Sequence, residues 1–175
     1  MVLQKRAVTL FVILFALLVN LFFSGYIEYQ KQLEVQRLVE IATTGASTIE
    51  SDTCFRNGTA LGSCAAVQNT KYSVLFGVST ALVGVLYFTL LFLLFLLLFL
   101  LQKWHPVVFE KTKNVFRIVL TMLIIGGVVA AAYFIFLQLV VIKSICTYCI
   151  VIDILMLLIG GLYWWSRDVL FEQYP

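Results

Sequence analysis

Long apolar runs alternate with short polar segments along the chain. Residues 7–27, 72–102 and 118–142 carry no charge, and residues 146–166 carry a single one, Asp153. A helix that crosses the hydrocarbon core of a bilayer needs about 20 consecutive, mainly apolar residues, and each run reaches that length. The pattern predicts an all-α integral membrane protein, a four-helix bundle. The expected spans cover about residues 7–27, 74–101, 117–142 and 147–166.

The composition agrees with this prediction and excludes other classes of protein. Hydrophobic residues make up 62% of the 175 residues and charged residues 12%, whereas soluble domains have roughly 45–50% and 25%. Disordered chains instead have few hydrophobic and many charged residues, so this class is excluded as well. The net charge of +3 is modest and no basic face is clustered, so no nucleic-acid partner is expected. We expect one membrane domain over residues 1–175.

The positions of lysine and arginine predict the orientation, because cytoplasmic segments are enriched in these residues. Both termini are expected in the cytoplasm, with a large extracytoplasmic loop at residues 28–72 and a second extracytoplasmic turn at Lys143. The first run exceeds the usual signal-peptide core and lacks a good cleavage site. The cytoplasmic side would collect Lys5, Arg6, Lys103, Lys111, Lys113, Arg117 and Arg167.

The large loop divides into two parts by composition. Residues 27–42 contain no proline or glycine and place apolar residues at roughly helical intervals, so the first helix is expected to continue beyond the membrane. From Thr43 the chain is rich in Thr, Gly, Ser, Asp and Asn, which is typical of irregular loops.

All four cysteines fall on the predicted extracytoplasmic side. Cys54 and Cys64 lie in the loop, and Cys146 and Cys149 form a C-x-x-C where the fourth helix begins. An even number of cysteines on an oxidising side indicates thiol and disulfide chemistry. Two alternatives are a structural Cys54–Cys64 disulfide beside an inert C-x-x-C, and a four-cysteine zinc site. The C-x9-C half is unusual for zinc, so no metal is expected.

Asp153 follows Cys149 by one helical turn, on the same face of the fourth span. An ionisable residue inside a membrane is costly and usually functional. The alternative is a structural hydrogen bond to a neighbouring helix. The small residues Gly126, Gly127 and 130–132 are interpreted as close helix packing.

The order of these features resembles the vitamin K epoxide reductase family, including its prokaryotic disulfide-forming members. One span, a loop with two cysteines, three further spans and a C-x-x-C at the last span cover nearly the whole chain. The segment Ser63–Tyr72 is similar to the family's cysteine followed by a hydroxyl, a basic and an aromatic residue. Phe76-Gly77-Val78, with Gly84 and Tyr87, resembles the signature that enters its second span.

The resemblance implies roles for individual residues. Cys149 would engage a quinone, Cys146 would be its disulfide partner, and Cys54 with Cys64 would form the shuttle pair. Two positions depart from the family pattern. Ser79 stands where prokaryotic members usually have proline, and Asp153 where the vertebrate enzyme has an aromatic residue. The expected quinone-binding residues are Cys149, Thr70, Thr80 and Asp153.

The function implied is a quinone-dependent thiol-disulfide oxidoreductase. It would oxidise a thioredoxin-fold partner and pass the electrons to ubiquinone, menaquinone or vitamin K, supporting disulfide formation at a prokaryotic cell membrane. One alternative is a vitamin K or epoxide reductase of the endoplasmic reticulum, which the sequon at Asn57 suits. Another is a non-enzymatic tetraspan scaffold.

Overall fold

The computed structural model describes residues 2–44, 74–75, 77–143 and 145–171. Of the predicted loop at residues 28–72, the described part is the helical stretch up to Thr44. The rest of this loop stays a prediction. Several residues singled out from the sequence lie outside the described ranges, among them Cys54, Asn57, Cys64, Thr70 and Phe76.

Four long helices form the described structure. Helix α1 runs over Val2–Thr44, α2 over Thr80–Trp104, α3 over Pro106–Phe136 and α4 over Thr147–Phe171. A π-helical segment, Leu137–Ile142, extends α3. Each helix contains a stretch long and apolar enough to cross a membrane, which confirms the predicted class. A helix suits the hydrocarbon core of a membrane because it satisfies its backbone hydrogen bonds internally. The four stretches are Val8–Leu33, Thr80–Trp104, Val107–Ile142 and Thr147–Asp168.

A short β-hairpin leads into α2. Strand β1, Val74–Leu75, pairs antiparallel with β2, Val78–Ser79, and Gly77 adopts a φ of +83° in the turn, a conformation that glycine accepts without strain. Ser79 donates a hydrogen bond of 2.7 Å to Glu28 Oε2 and accepts one of 3.4 Å from Lys31 Nζ. The hairpin is therefore attached to α1, and α2 begins at Thr80 rather than near residue 74.

The connection between α2 and α3 is very short. His105 alone separates Trp104 from Pro106, and a proline suits the first position of a helix because its missing N–H has no partner there anyway. Helix α3 therefore starts well before the predicted span at 117. Its first turns carry an ion pair of 2.6 Å between Lys113 and Glu110. The basic residues expected on the cytoplasmic side between the second and third spans therefore lie on helices rather than in a loop.

Helix α1 packs against α2 and α4, and α3 packs against the same two helices. Buried residues recur at helical intervals, for example Leu10, Ile13 and Leu17 on α1. The opposite face of α1 exposes Phe11 and Phe15. Lipid tails are as apolar as these side chains, so close packing and polar pairs between helices hold a membrane bundle together. The buried residues of the other helices include Phe88, Leu91, Phe95, Leu98, Leu120, Ile124, Met156, Ile159 and Tyr163.

Adjacent glycines on α4 give a matched test of this packing. A Cβ at Gly160 would lie 2.5 Å from Val128 Cγ2 on α3, whereas a Cβ at Gly161 would meet nothing within 4 Å. We expect Gly160→Ala to lower the stability of the purified protein by about 1–3 kcal/mol, because overpacking forces rigid neighbours apart. The midpoint of thermal unfolding in detergent measures this loss.

Gly161→Ala is the control for helix propensity, which favours alanine by up to about 1 kcal/mol. Its midpoint should stay unchanged or rise. Equal effects of the two substitutions would show that α3 and α4 do not meet closely at Gly160.

Candidate active site

The C-x-x-C lies where the chain turns from α3 into α4. After the π-helical segment Leu137–Ile142, Lys143 takes a left-handed conformation with a φ of 53°. Cys146 directly precedes α4, and its carbonyl accepts the N–H of Ile150 as the first helical hydrogen bond. The spacing of three residues then brings Cys149 Sγ to 2.8 Å from Cys146 Sγ. The two sulfurs are not bonded to each other, and a disulfide of about 2.0 Å between them requires little movement.

The two cysteines differ in their surroundings. Cys146 is fully buried, with 0% of its surface exposed. Cys149 is half-buried and lines a cavity inside the bundle. A molecule bound in this cavity would therefore meet the Cys149 side of the pair.

The cavity has a volume of about 520 Å³ and receives side chains from all four helices. Binding sites for small organic molecules typically have volumes of about 300–1,000 Å³ and mostly apolar walls with a few polar groups. Here the wall is mainly apolar, from residues such as Ile27, Phe88, Phe134 and Met156. Its polar members are Ser24, Lys31, Ser79, Thr80, Tyr87, Gln138, Cys149 and Asp153.

One side of the cavity reaches the outer surface of the bundle between α2 and α3. Val83 on α2 lines the cavity and is also exposed, as are Ala130 and Tyr133 on α3. This surface belongs to the apolar stretches that would face lipid. A ligand dissolved in the bilayer could approach from this direction.

Small residues on α3 make room for the cavity. Gly126, Gly127 and Ala130 all contribute to its wall. A Cβ at Gly127 would overlap the Tyr87 hydroxyl, which donates a 2.8 Å hydrogen bond to the Leu123 carbonyl. The interpretation of these residues as close helix packing therefore fits Gly127, while the same residues also shape the cavity.

Asp153 is 7% exposed and lines the cavity one turn after Cys149. Its Oδ2 accepts a hydrogen bond of 3.4 Å from Gln138 Nε2, and Gln138 Oε1 accepts one of 3.1 Å from the Cys146 N–H. The structural hydrogen bond considered for Asp153 is thus present, and the carboxyl also borders the cavity.

Gln138 was not among the residues predicted for the site. The signal available was the only side-chain amide in a span that is otherwise mainly apolar, since such polar groups usually bond to another helix. The structure brings three of the four expected quinone-binding residues to one cavity wall: Cys149, Thr80 and Asp153. Their binding role stays a prediction. Within the described ranges, no group of three or more potential metal ligands comes together.

Comparison with known families adds a separate observation. The model of the family described as "Vitamin K epoxide reductase family" matches residues 10–164, from α1 into α4. Comparisons with curated proteins and with solved structures give no match.

The unequal burial of the two thiols can be measured. In a Cys54→Ser/Cys64→Ser background, we expect a maleimide to modify reduced Cys149 before Cys146, because only Cys149 borders the cavity. Peptide mass spectrometry of samples quenched over time gives the two rates. After mild oxidation neither thiol should react, and the mass should fall by two hydrogens. Equal rates for both thiols in the folded protein would contradict the assigned burial.

Proposed function

We propose, from the premise that this chain belongs to the vitamin K epoxide reductase family, that it is a quinone-dependent thiol-disulfide oxidoreductase. Membership of the family makes it a redox protein of the membrane. The finer assignment is that it oxidises a thioredoxin-fold partner and passes the electrons through its cysteines to a membrane quinone. The cellular result would be disulfide bond formation in proteins outside a prokaryotic cytoplasm.

The observation that carries this proposal is a thiol pair of which one member, Cys149, lies on the wall of an apolar cavity. Cys149 and Cys146 have their sulfurs 2.8 Å apart, and Cys149 lines the cavity. A quinone ring is flat and apolar with two carbonyl oxygens, which matches an apolar wall with few polar groups. The residues that would hold it are Cys149, Thr80 and Asp153. When bound, a quinone supplies an acceptor for two electrons and two protons.

The chain's own residues supply the thiol chemistry. A thiolate attacks one sulfur of a disulfide, and the other sulfur leaves as a thiol. We propose that the partner's dithiol reduces a Cys54–Cys64 disulfide in this way, and that the loop pair then reduces Cys146–Cys149. Both exchange steps would take place on the extracytoplasmic side, as the lysine and arginine pattern predicts. Cys149 is the last cysteine because it borders the cavity.

The opening between α2 and α3 supports a membrane-dissolved acceptor. Val83, Ala130 and Tyr133 both line the cavity and face outward. A quinone with a long isoprenoid tail partitions into the bilayer, so access from the side requires no transfer of that tail through water. Ubiquinone, menaquinone and vitamin K all meet this requirement.

The role of the loop cysteines can be tested with two reductants of different size. Cys54→Ser and Cys64→Ser should each reduce turnover with a reduced thioredoxin-fold protein to background. Both variants should retain most of the turnover with a small membrane-permeant dithiol, because this reagent can reach Cys146–Cys149 directly. Quinone reduction followed by absorbance under anaerobic conditions measures both rates.

Cys149→Ser is the control, since it should abolish turnover with either reductant. If the two loop variants lost equal activity with the small dithiol and with the protein, Cys54 and Cys64 would have a structural role rather than a shuttle role.

The assignment of Cys149 as the quinone-side cysteine predicts a spectroscopic change. Cys146→Ser leaves Cys149 without its disulfide partner, so the thiolate form of Cys149 would lie alone beside bound quinone. We expect a new long-wavelength charge-transfer absorption that requires both quinone and thiolate. Cys149→Ser is the matched control and should lack the band. A band in the control but not in Cys146→Ser would assign the quinone side to Cys146.

A further inference from the structure

We propose that Gln138 is a positioning residue for quinone reduction, holding the Asp153 carboxyl at the cavity so that it passes a proton to the quinone oxygen. This inference rests on the proposed function. The bridge consists of two hydrogen bonds, from the Cys146 N–H to Gln138 Oε1 at 3.1 Å and from Gln138 Nε2 to Asp153 Oδ2 at 3.4 Å. All three residues are at least nine-tenths buried.

The orientation of the Gln138 amide is fixed by its neighbour. A backbone N–H can only donate, so the group facing the Cys146 N–H must be the amide oxygen Oε1. The amide nitrogen then necessarily faces Asp153 and donates to it. One carboxyl oxygen of Asp153, Oδ2, is therefore engaged as an acceptor. Because Asp153 lines the cavity, we assign the transferred proton to its other oxygen, Oδ1.

The location of Gln138 connects the carboxyl to the thiols. Gln138 lies in the π-helical segment that follows α3, whereas Cys149 and Asp153 lie on α4. Gln138, Cys149 and Asp153 all line the same cavity. Short π-helical segments within α-helices occur frequently at functional sites. Gln138 thus holds the Asp153 carboxyl, the proton-carrying group, beside Cys146 and Cys149, and it does so from a second helix.

The overall step balances as follows. The two S–H bonds of Cys146 and Cys149 break, one S–S bond forms, and two electrons pass to the quinone. The quinone gains two O–H bonds and becomes a quinol. Asp153 takes up one of the two thiol protons and delivers it to a quinone oxygen, so the carboxyl itself is unchanged after the step. A proton carrier is needed here because the apolar wall of the cavity keeps bulk water away.

Three variants separate positioning from a purely structural bridge. Gln138→Glu keeps an oxygen for the Cys146 N–H but loses the donor to Asp153. Asp153→Asn keeps the size of the side chain and removes the proton carrier. The double variant Gln138→Glu/Asp153→Asn exchanges the amide and the carboxyl, so the bridge between the two side chains can form again while the carboxyl has moved to the other helix.

We expect Gln138→Glu and Asp153→Asn each to lower kcat for quinone reduction by a small dithiol, on the order of tenfold to a hundredfold, the range for a misplaced catalytic group. KM for the dithiol should stay unchanged. The double variant should recover the thermal stability of the unmodified protein and yet retain the low kcat of Asp153→Asn. The decreases in kcat of the two single variants should therefore not multiply in the double variant.

Gln102→Glu is the matched control, because Gln102 donates a single 2.9 Å hydrogen bond to the Leu170 carbonyl and does not line the cavity. This variant should keep the unmodified kcat. If Gln138→Glu keeps an unmodified kcat, or if the double variant regains it, the inference is overturned while the proposed function stands. Failure of the unmodified protein to reduce any quinone overturns the proposed function, and the inference with it.

Discussion

The hydrogen bond from the Cys146 N–H to the Gln138 side chain fixes the end of the bundle that carries the C-x-x-C. The N–H groups at the start of a helix have no partner within that helix. In a membrane, water does not supply a partner inside the hydrocarbon core, and each unsatisfied group costs several kcal/mol. Gln138 provides the acceptor from the preceding π-helical segment. The position of the C-x-x-C is therefore set relative to α3 as well as to α4. The side-chain amide of Gln138 also donates a hydrogen bond to Asp153, the only charged residue of the fourth apolar run. One side chain therefore contacts both the C-x-x-C and Asp153.

The cavity beside this bridge is compatible with the way membrane helices associate. Apolar burial does not drive two helices together in lipid, because the tails are as apolar as the side chains. Helices α2 and α3 can consequently leave a gap at Val83 and Ala130, which an acyl chain or a hydrophobic ligand can fill. Closer contacts elsewhere keep the bundle together. Gly160 meets Val128 between α3 and α4, and Thr121 bonds the Tyr163 hydroxyl at 2.8 Å. The site therefore lies where the packing is open.

Some of this arrangement follows from the sequence and some does not. The four helices and the continuation of α1 were predictable because hydropathy and the absence of helix breakers are local properties. The approach of Cys146 and Cys149 follows from helix geometry alone. The hydrogen bonds of Gln138 depend on the π-helical segment, whose wider turn changes the direction in which later side chains point. The pattern of hydrophobic residues does not indicate this change in side-chain direction. The hairpin at Val74–Ser79 could not be predicted either, because its residues are as apolar as the span that follows.

Asp153 shows why two interpretations of one residue can both apply inside a membrane. Sequence reasoning treats a structural hydrogen bond and a chemical role as alternatives, because in water a carboxylate needs no protein partner. In the bilayer, a carboxyl group is tolerated only if something holds it. Gln138 holds it through one oxygen, and Asp153 lines the same cavity as Cys149. For the proton transfer that we propose, the structural bond is therefore a condition. Gln138, which makes this bond, lines the same cavity as Cys149 and Asp153.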